Sequence, residues 1–204
     1  MTVISYVVVG DTRREAQAKA LANKLHAPLA LDTAGRWGPS ANHLRAWILG
    51  NTEPCDWICV IEDDAILCND FLTKAEKTLC DTSHQAVSFY LGTNYPTNLA
   101  PFAEKKAKSA AERGDTWIEL STLNHAVAVA IRQTHAAKLI EYLERSKSST
   151  DEAINQWLQM RRYRVCYPLP SLVDHLDEQS IIAPQSRSDR KDRVLPRKAV
   201  FFEK

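Results

Sequence analysis

Five consecutive side chains, Trp57-Ile58-Cys59-Val60-Ile61, are apolar without alternation, and they run directly into Glu62-Asp63-Asp64. A half-exposed strand alternates apolar with polar residues. A run with no polar face must be covered on both sides, which is the condition of a central strand in a sheet sandwiched between helices. The flanking sequence agrees. A β-branched run at residues 4–9 stops at Gly10-Asp11-Thr12, and Ala16, Ala20, Leu21 and Leu25 then recur at helical spacing.

The same alternation continues along the chain. Residues 28–31 read as a short strand, residues 33–39 as a loop and residues 40–49 as a helix opened by Ser40. Residues 71–79 suit a helix, 86–91 a strand and 92–102 a loop. The polar stretch 103–115 reads either as a short exposed helix or as a mobile flap over a site. Residues 125–131 alternate as a strand does, and 134–145 form an amphipathic helix. Another helix follows, capped by Ser149 or Thr150, and then a strand over 163–167. Strands alternating with helices predict a Rossmann-like α/β fold, a mostly parallel sheet flanked by helices. The chain has 204 residues, 45% hydrophobic and 25% charged, which suits a single domain over 1–184 with a tail at 185–204.

Composition excludes several classes. No apolar run approaches the roughly 20 residues of a membrane span, and the first residues carry neither a basic leader nor a small-residue cleavage site. Five cysteines without a CxxC pair suggest neither a disulfide framework nor a cysteine-zinc site, so a reducing, cytoplasmic setting is expected. The formal charge of +1 conceals seven Lys/Arg against three Asp/Glu in residues 185–204. That tail reads either as a basic arm for a polyanion or as a solvated terminus whose Val200-Phe201-Phe202 packs back onto the body.

Ligands of open α/β sheets gather at the carboxyl ends of the strands, where Glu62-Asp63-Asp64 falls. Three adjacent carboxylates repel one another unless something positive sits among them. With strand geometry continued, Glu62 and Asp64 project to one side, where they can share a hard cation, and Asp63 to the other. The competing reading is a solvated acidic turn.

From this motif outward the chain resembles the family 25 glycosyltransferases, a group of lipopolysaccharide and collagen galactosyltransferases with a GT-A fold that binds nucleotide sugars. Trp37-Gly38-Pro39-Ser40-Ala41-Asn42-His43, with Trp47, resembles the family's "GC..SH...W" block, and Val60-Ile61-Glu62-Asp63-Asp64 its "vlEDD" block. His125-Ala126-Val127 with Ala136-Ala137-Lys138-Leu139 is similar to "hAY.is..gA.kLl", Thr150-Asp151 to "pvD", and Ser171-Leu172-Val173-Asp174-His175 with Ser180-Ile181 to the last block. The blocks occur in the family's order over most of residues 3–182. Pro39 and Asn42 replace the family's Cys and Ser, so a donor contact made by that serine would here come from an amide. Compact bacteriophage glycosyltransferases, some acting on hydroxymethylated DNA bases, are also similar.

The resemblance implies a hexosyltransferase using a nucleotide diphosphate sugar, UDP-linked, with Mn²⁺ or Mg²⁺, an acceptor hydroxyl on a glycan or a modified DNA base, and inversion at the transferred carbon. It implies Glu62, Asp64 and His175 as metal ligands. Asp11, Thr12, Arg13, Asp32 and Asp63 would read the base and ribose, and Arg36, Asn42 and His43 would lie near the diphosphate. Asp151 is the expected general base, with Glu152 as a competitor. Each has a plain alternative: helix capping for Asp11 and Thr12, an exposed helical histidine for His43, a structural histidine for His175, and dipole compensation in a first turn for Asp151. His125 reads as a core residue or one that supports the site from behind. Rival functions are metal-dependent nucleotidyl or phosphoryl transfer, and nucleic-acid binding through the basic tail without catalysis.

Overall fold

A computed structural model of the chain describes residues 2–93, 96, 98–176 and 197–204. The first half contains β1 (Ile4–Asp11), α1 (Glu15–Leu25), β2 (Leu29–Asp32), α2 (Gly38–Gly50), β3 (Trp57–Glu62), β4 (Ala65–Leu67), α3 (Phe71–Asp81) and β5 (Ala86–Ser88). The second half adds α4 (Ala100–Glu112), β6 (Trp117–Leu120), β7 (Ala128–Arg132), α5 (Gln133–Arg145), α6 (Thr150–Met160), β8 (Val165–Pro168) and β9 (Val173–His175).

Seven strands form one sheet in the order β2-β1-β3-β7-β5-β8-β6, and β4 pairs with β9 in a second, two-stranded sheet. β1 lies parallel to β2 and β3, and β5 parallel to β8. β7 runs antiparallel to β3 and β5, and β6 antiparallel to β8. Five strands therefore share one direction, giving the expected mostly parallel, Rossmann-like α/β domain with two reversed strands.

β3 occupies the interior position its composition demands. Its register with β1 pairs Val7 with Val60 and Val9 with Glu62, so β1 runs on to Asp11 alongside the acidic motif that follows β3. Ile58 and Val60 face one layer with Trp47 of α2, Leu139 of α5 and Trp157 of α6. Trp57, Cys59 and Ile61 face the other, with Leu21 of α1 and Phe71, Ala75 and Leu79 of α3. Burying both faces of a strand in this way supplies the main stabilisation of such sheets, about 1.5–3 kcal/mol for each large apolar side chain fully removed from water.

Some boundaries differ from the sequence expectation. The polar stretch is a helix, α4, because Ala100, Ala103, Ala107 and Ala110 fall on one face and are buried; alanines let the helix lie close to β6. α2 begins at Gly38 rather than Ser40, with Pro39 in its first turn. The Asp32 carboxylate accepts from the backbone N–H groups of Trp37 and Gly38 at 3.0 and 2.9 Å and so satisfies the exposed donors of that helix end. β7 begins only at Ala128, leaving His125 in the segment that leads into it. At the chain's end, Val200 and Phe201 pack against one layer of the core and Phe202 against the other. Ser180-Ile181 and residues 185–196 of the basic tail lie outside the described residues.

Candidate active site

β1 and β3 end side by side at Asp11 and Glu62, and β4 and β9 form a small ladder just beyond them. Ala65 is paired with His175 in that ladder. Residues 64 and 175, far apart in sequence, are thus neighbours. The Asp64 Oδ2 atom lies 3.3 Å from Nε2 of His175 and accepts from Nη1 of Arg14 at 2.6 Å. Arg14 is only 5% exposed and also reaches Oδ1 of Asp63 at 3.5 Å. Burial acts to raise the Asp64 carboxyl, but His175 and Arg14 outweigh it and hold the group below its ordinary range.

Asp63 and Asp64 share Arg14 but differ in their other partners. Asp63 accepts from the backbone N–H of Asp11 at 2.9 Å, tying the ends of β1 and β3 together. Burial nonetheless raises its pKa. The chain can approach here because residue 10 is glycine: a Cβ on Gly10 would lie 2.7 Å from the Ala18 Cβ and 3.2 Å from Asp63 Oδ2.

Glu62 and Asp151 complete the acidic group. Each keeps some accessible surface yet is surrounded by protein on most sides. Burial raises the Glu62 carboxyl well above its usual range, with Asp64, Asp151 and Asp63 adding to the rise and Arg197 opposing it. Asp151, in the first turn of α6, is raised to about 6, chiefly by burial and also by Asp64. The backbone N–H groups of Ala126 and Asp151 and the charge of Arg197 restrain that rise. An acid whose pKa sits near 6 is half ionised close to neutral pH, which suits a general base.

Other expected site residues serve the frame. Asp11 caps the turn after β1 and pairs with Arg13, whose Nε lies 2.8 Å from Oδ1, so Arg13 points outward. Its neighbour Arg14 is the arginine that enters the site. Thr12 donates to the Asp32 carbonyl at 3.1 Å, and Arg36 lies over the exposed Trp37 ring. Asn42 gives its amide to the carbonyls of Gly10 and Ala30, both at 2.9 Å. That clamp between β1 and β2 leaves no amide hydrogen for a donor sugar, against the expectation for this position. His43 is buried, and burial lowers its pKa to about 4. The Ala126 backbone lies beside its ring, but neither ring nitrogen meets hydrogen-bond geometry.

Among the described residues no three His, Cys, Asp or Glu side chains are arranged to hold a metal ion, and none of the helices is long and apolar enough to cross a membrane. The Oδ1 atom of Asp64, however, is buried without a hydrogen-bond partner, and it stands in a cluster of mutually repelling carboxylates. Such a set fits a cation held by one or two carboxylates and completed by substrate phosphates, the usual habit of Mg²⁺. His175 Nε2 lies 3.3 Å from Asp64 Oδ2, so the late histidine and the acidic motif meet at this edge.

No protein-family model matches the chain, and no curated protein matches it. Among solved structures, one titled crystal structure of A197 from STIV aligns with a TM-score of 0.48 and 12% identity, over 85% of this chain and 86% of that chain. At that distance the likeness says nothing about chemistry.

Arg14, Tyr90 and Arg197 belong to the site although their sequence context did not single them out. Tyr90 sets its ring edge-on to His125 and tilted against His175, at 5.3 and 6.1 Å between centroids. For Arg14 a signal existed: three adjacent carboxylates require a cation, and a doubled arginine follows the first strand. Only the pairing of β1 with β3 shows which of the two turns inward.

Proposed function

We propose that this protein is a glycosyltransferase of the family 25 type, with a GT-A fold, which moves a hexose from a UDP-linked donor to an acceptor hydroxyl with inversion. The observation that carries this reading is the convergence of Asp151, with its pKa near 6, on Glu62 and Asp64 at the carboxyl ends of β1 and β3. The order of sequence blocks supports it independently.

In this reading Asp151 accepts the acceptor's hydroxyl proton while that oxygen bonds to the anomeric carbon. The bond from that carbon to the diphosphate breaks, and the electron pair leaves with the nucleoside diphosphate. Negative charge accumulating on the leaving group needs cationic partners. Glu62 and Asp64 would hold Mn²⁺ or Mg²⁺, which supplies Lewis-acid stabilisation of the diphosphate when bound. His175, whose Nε2 lies 3.3 Å from Asp64, would stand beside the ion, and Arg14 helps hold Asp64 ionised and opposes the rise at Asp63. Five cysteines without a disulfide support a cytoplasmic setting, and the acceptor is a glycan or a modified DNA base.

The test is incubation with a panel of nucleotide sugars and Mn²⁺, with detection of released nucleoside diphosphate. Slow hydrolysis of one donor, lost in Asp64→Ala, is expected. If no donor is bound or hydrolysed, while duplex DNA binds with steep salt dependence, the proposal gives way to nucleic-acid binding.

A further inference from the structure

The residues that close the chain do more than cover the core. Residues 197–202 run between the segments at 90–93 and 171–175, both at the acidic end of the sheet. Thr93 N–H donates to the Lys198 carbonyl and Val200 N–H to the Leu91 carbonyl, each at 2.8 Å, and Ser171 N–H donates to the Phe201 carbonyl at 2.9 Å. Isolated bridges join Gly92 to Ala199 and Ser171 to Phe202. Ala199 N–H donates to Asp174 Oδ1 at 2.7 Å, and Lys198 Nζ to the His175 carbonyl at 2.9 Å. Bonding to both sides in this way fixes the segment's path. A terminus that merely shielded apolar surface would not need such a register.

The path brings Arg197 to the site. The Tyr90 hydroxyl donates to the Arg197 carbonyl at 3.1 Å, and the Tyr90 ring packs near His175, the partner of Asp64. The Arg197 Nε atom is buried. We propose that residues 197–202 form a docked strap that delivers Arg197 as a ligand for the diphosphate of the nucleotide donor. This rests on the glycosyltransferase reading and adds a binding residue to it. Arg14 is held between Asp63 and Asp64, and the strap brings a second arginine to the same end of the sheet through the Tyr90 contact. The planar guanidinium fork matches two phosphate oxygens at once.

The experiment is calorimetric titration of the full chain with UDP and with inorganic pyrophosphate in Mg²⁺, alongside thermal melting. Arg197→Ala should weaken both ligands by roughly tenfold or more, as expected when a hydrogen bond between charged groups is lost. Arg197→Lys should restore only part of the affinity. Arg197→Gln, which keeps the stem and removes the charge, repeats the loss on a side chain that fills similar space. Val200→Pro, which removes the N–H that binds Leu91, should reproduce the loss with Arg197 still present. Lys204→Ala, an equal change in net charge at the exposed terminus, should bind as the parent does.

Parent-like affinity for both ligands in Arg197→Ala and Arg197→Gln overturns the strap's role while leaving the glycosyltransferase reading intact. If the parent binds neither UDP nor pyrophosphate, the two fall together.

Discussion

Asp151 carries the sharpest consequences at the scale of single residues. Asp151→Asn should preserve donor affinity while kcat falls by roughly 10²-fold or more, the usual contribution of a general base. Because the base must be ionised, kcat of the parent should rise with pH through about 6. Stability follows the opposite course. The folded pKa of Asp151 lies above the ordinary 3.8, so between pH 4 and 6 the folded state holds a proton that the unfolded state has released. Stability is therefore lost as pH rises through that window, and Glu62 acts in the same sense. Melting curves of parent and Asp151→Asn at several pH values should converge near pH 4 and separate towards pH 6.5, with the variant the more stable. Parallel curves would refute the raised pKa. Arg14 gives a complementary case: Arg14→Met leaves Asp63 and Asp64 buried without their cation, at a cost of about 3–5 kcal/mol at neutral pH. The loss measured by denaturant unfolding should shrink at pH 5 as the carboxylates take up protons.

At the scale of elements, α4 shows how a polar stretch becomes an ordered helix. Its charged residues face outward, and its stripe of buried alanines sets the distance to β6. Ala107→Leu should overpack that contact and destabilise by about 1–3 kcal/mol. Lys108→Leu, on the exposed side of the same helix, should change stability by no more than about 0.5 kcal/mol. Equal effects at both positions would mean that α4 does not dock through its alanine face. The β4–β9 ladder is short but decides more chemistry, since it sets His175 beside Asp64. No periodicity marks a three-residue strand such as Ala65–Leu67 or Val173–His175, so these elements emerge only from their pairing.

For the whole molecule, the sheet order implies a gradient of local stability. β3 is paired on both edges and covered on both faces, whereas β6 is an edge strand whose Trp117 is 48% exposed. Amide exchange at Cys59 and Val60 should therefore require global unfolding, while part of Trp117–Leu120 exchanges through smaller openings. Equal protection in the two strands would contradict this order.

Much of the architecture was legible in contiguous residues. A strand covered on both faces has to be apolar throughout, as 57–61 is, and an amphipathic helix has to repeat its apolar side chains, as α5 does. The acidic motif after β3 was legible for the same local reason, and so was the start of α6 just after Ser149. Strand direction was not: the apolar run at 128–131 reads identically whether β7 is parallel or reversed. Nor could the sequence show whether Arg13 or Arg14 turns inward, that the Asn42 amide is occupied by strand carbonyls, or that Arg197 returns to Tyr90. Those facts depend on contacts between residues tens to more than a hundred positions apart, and on burial, which raises one carboxyl and lets a guanidinium hold down another. Local pattern therefore determined the longer elements and the acidic edge, while tertiary packing decided the short β4–β9 ladder and which charges face one another there.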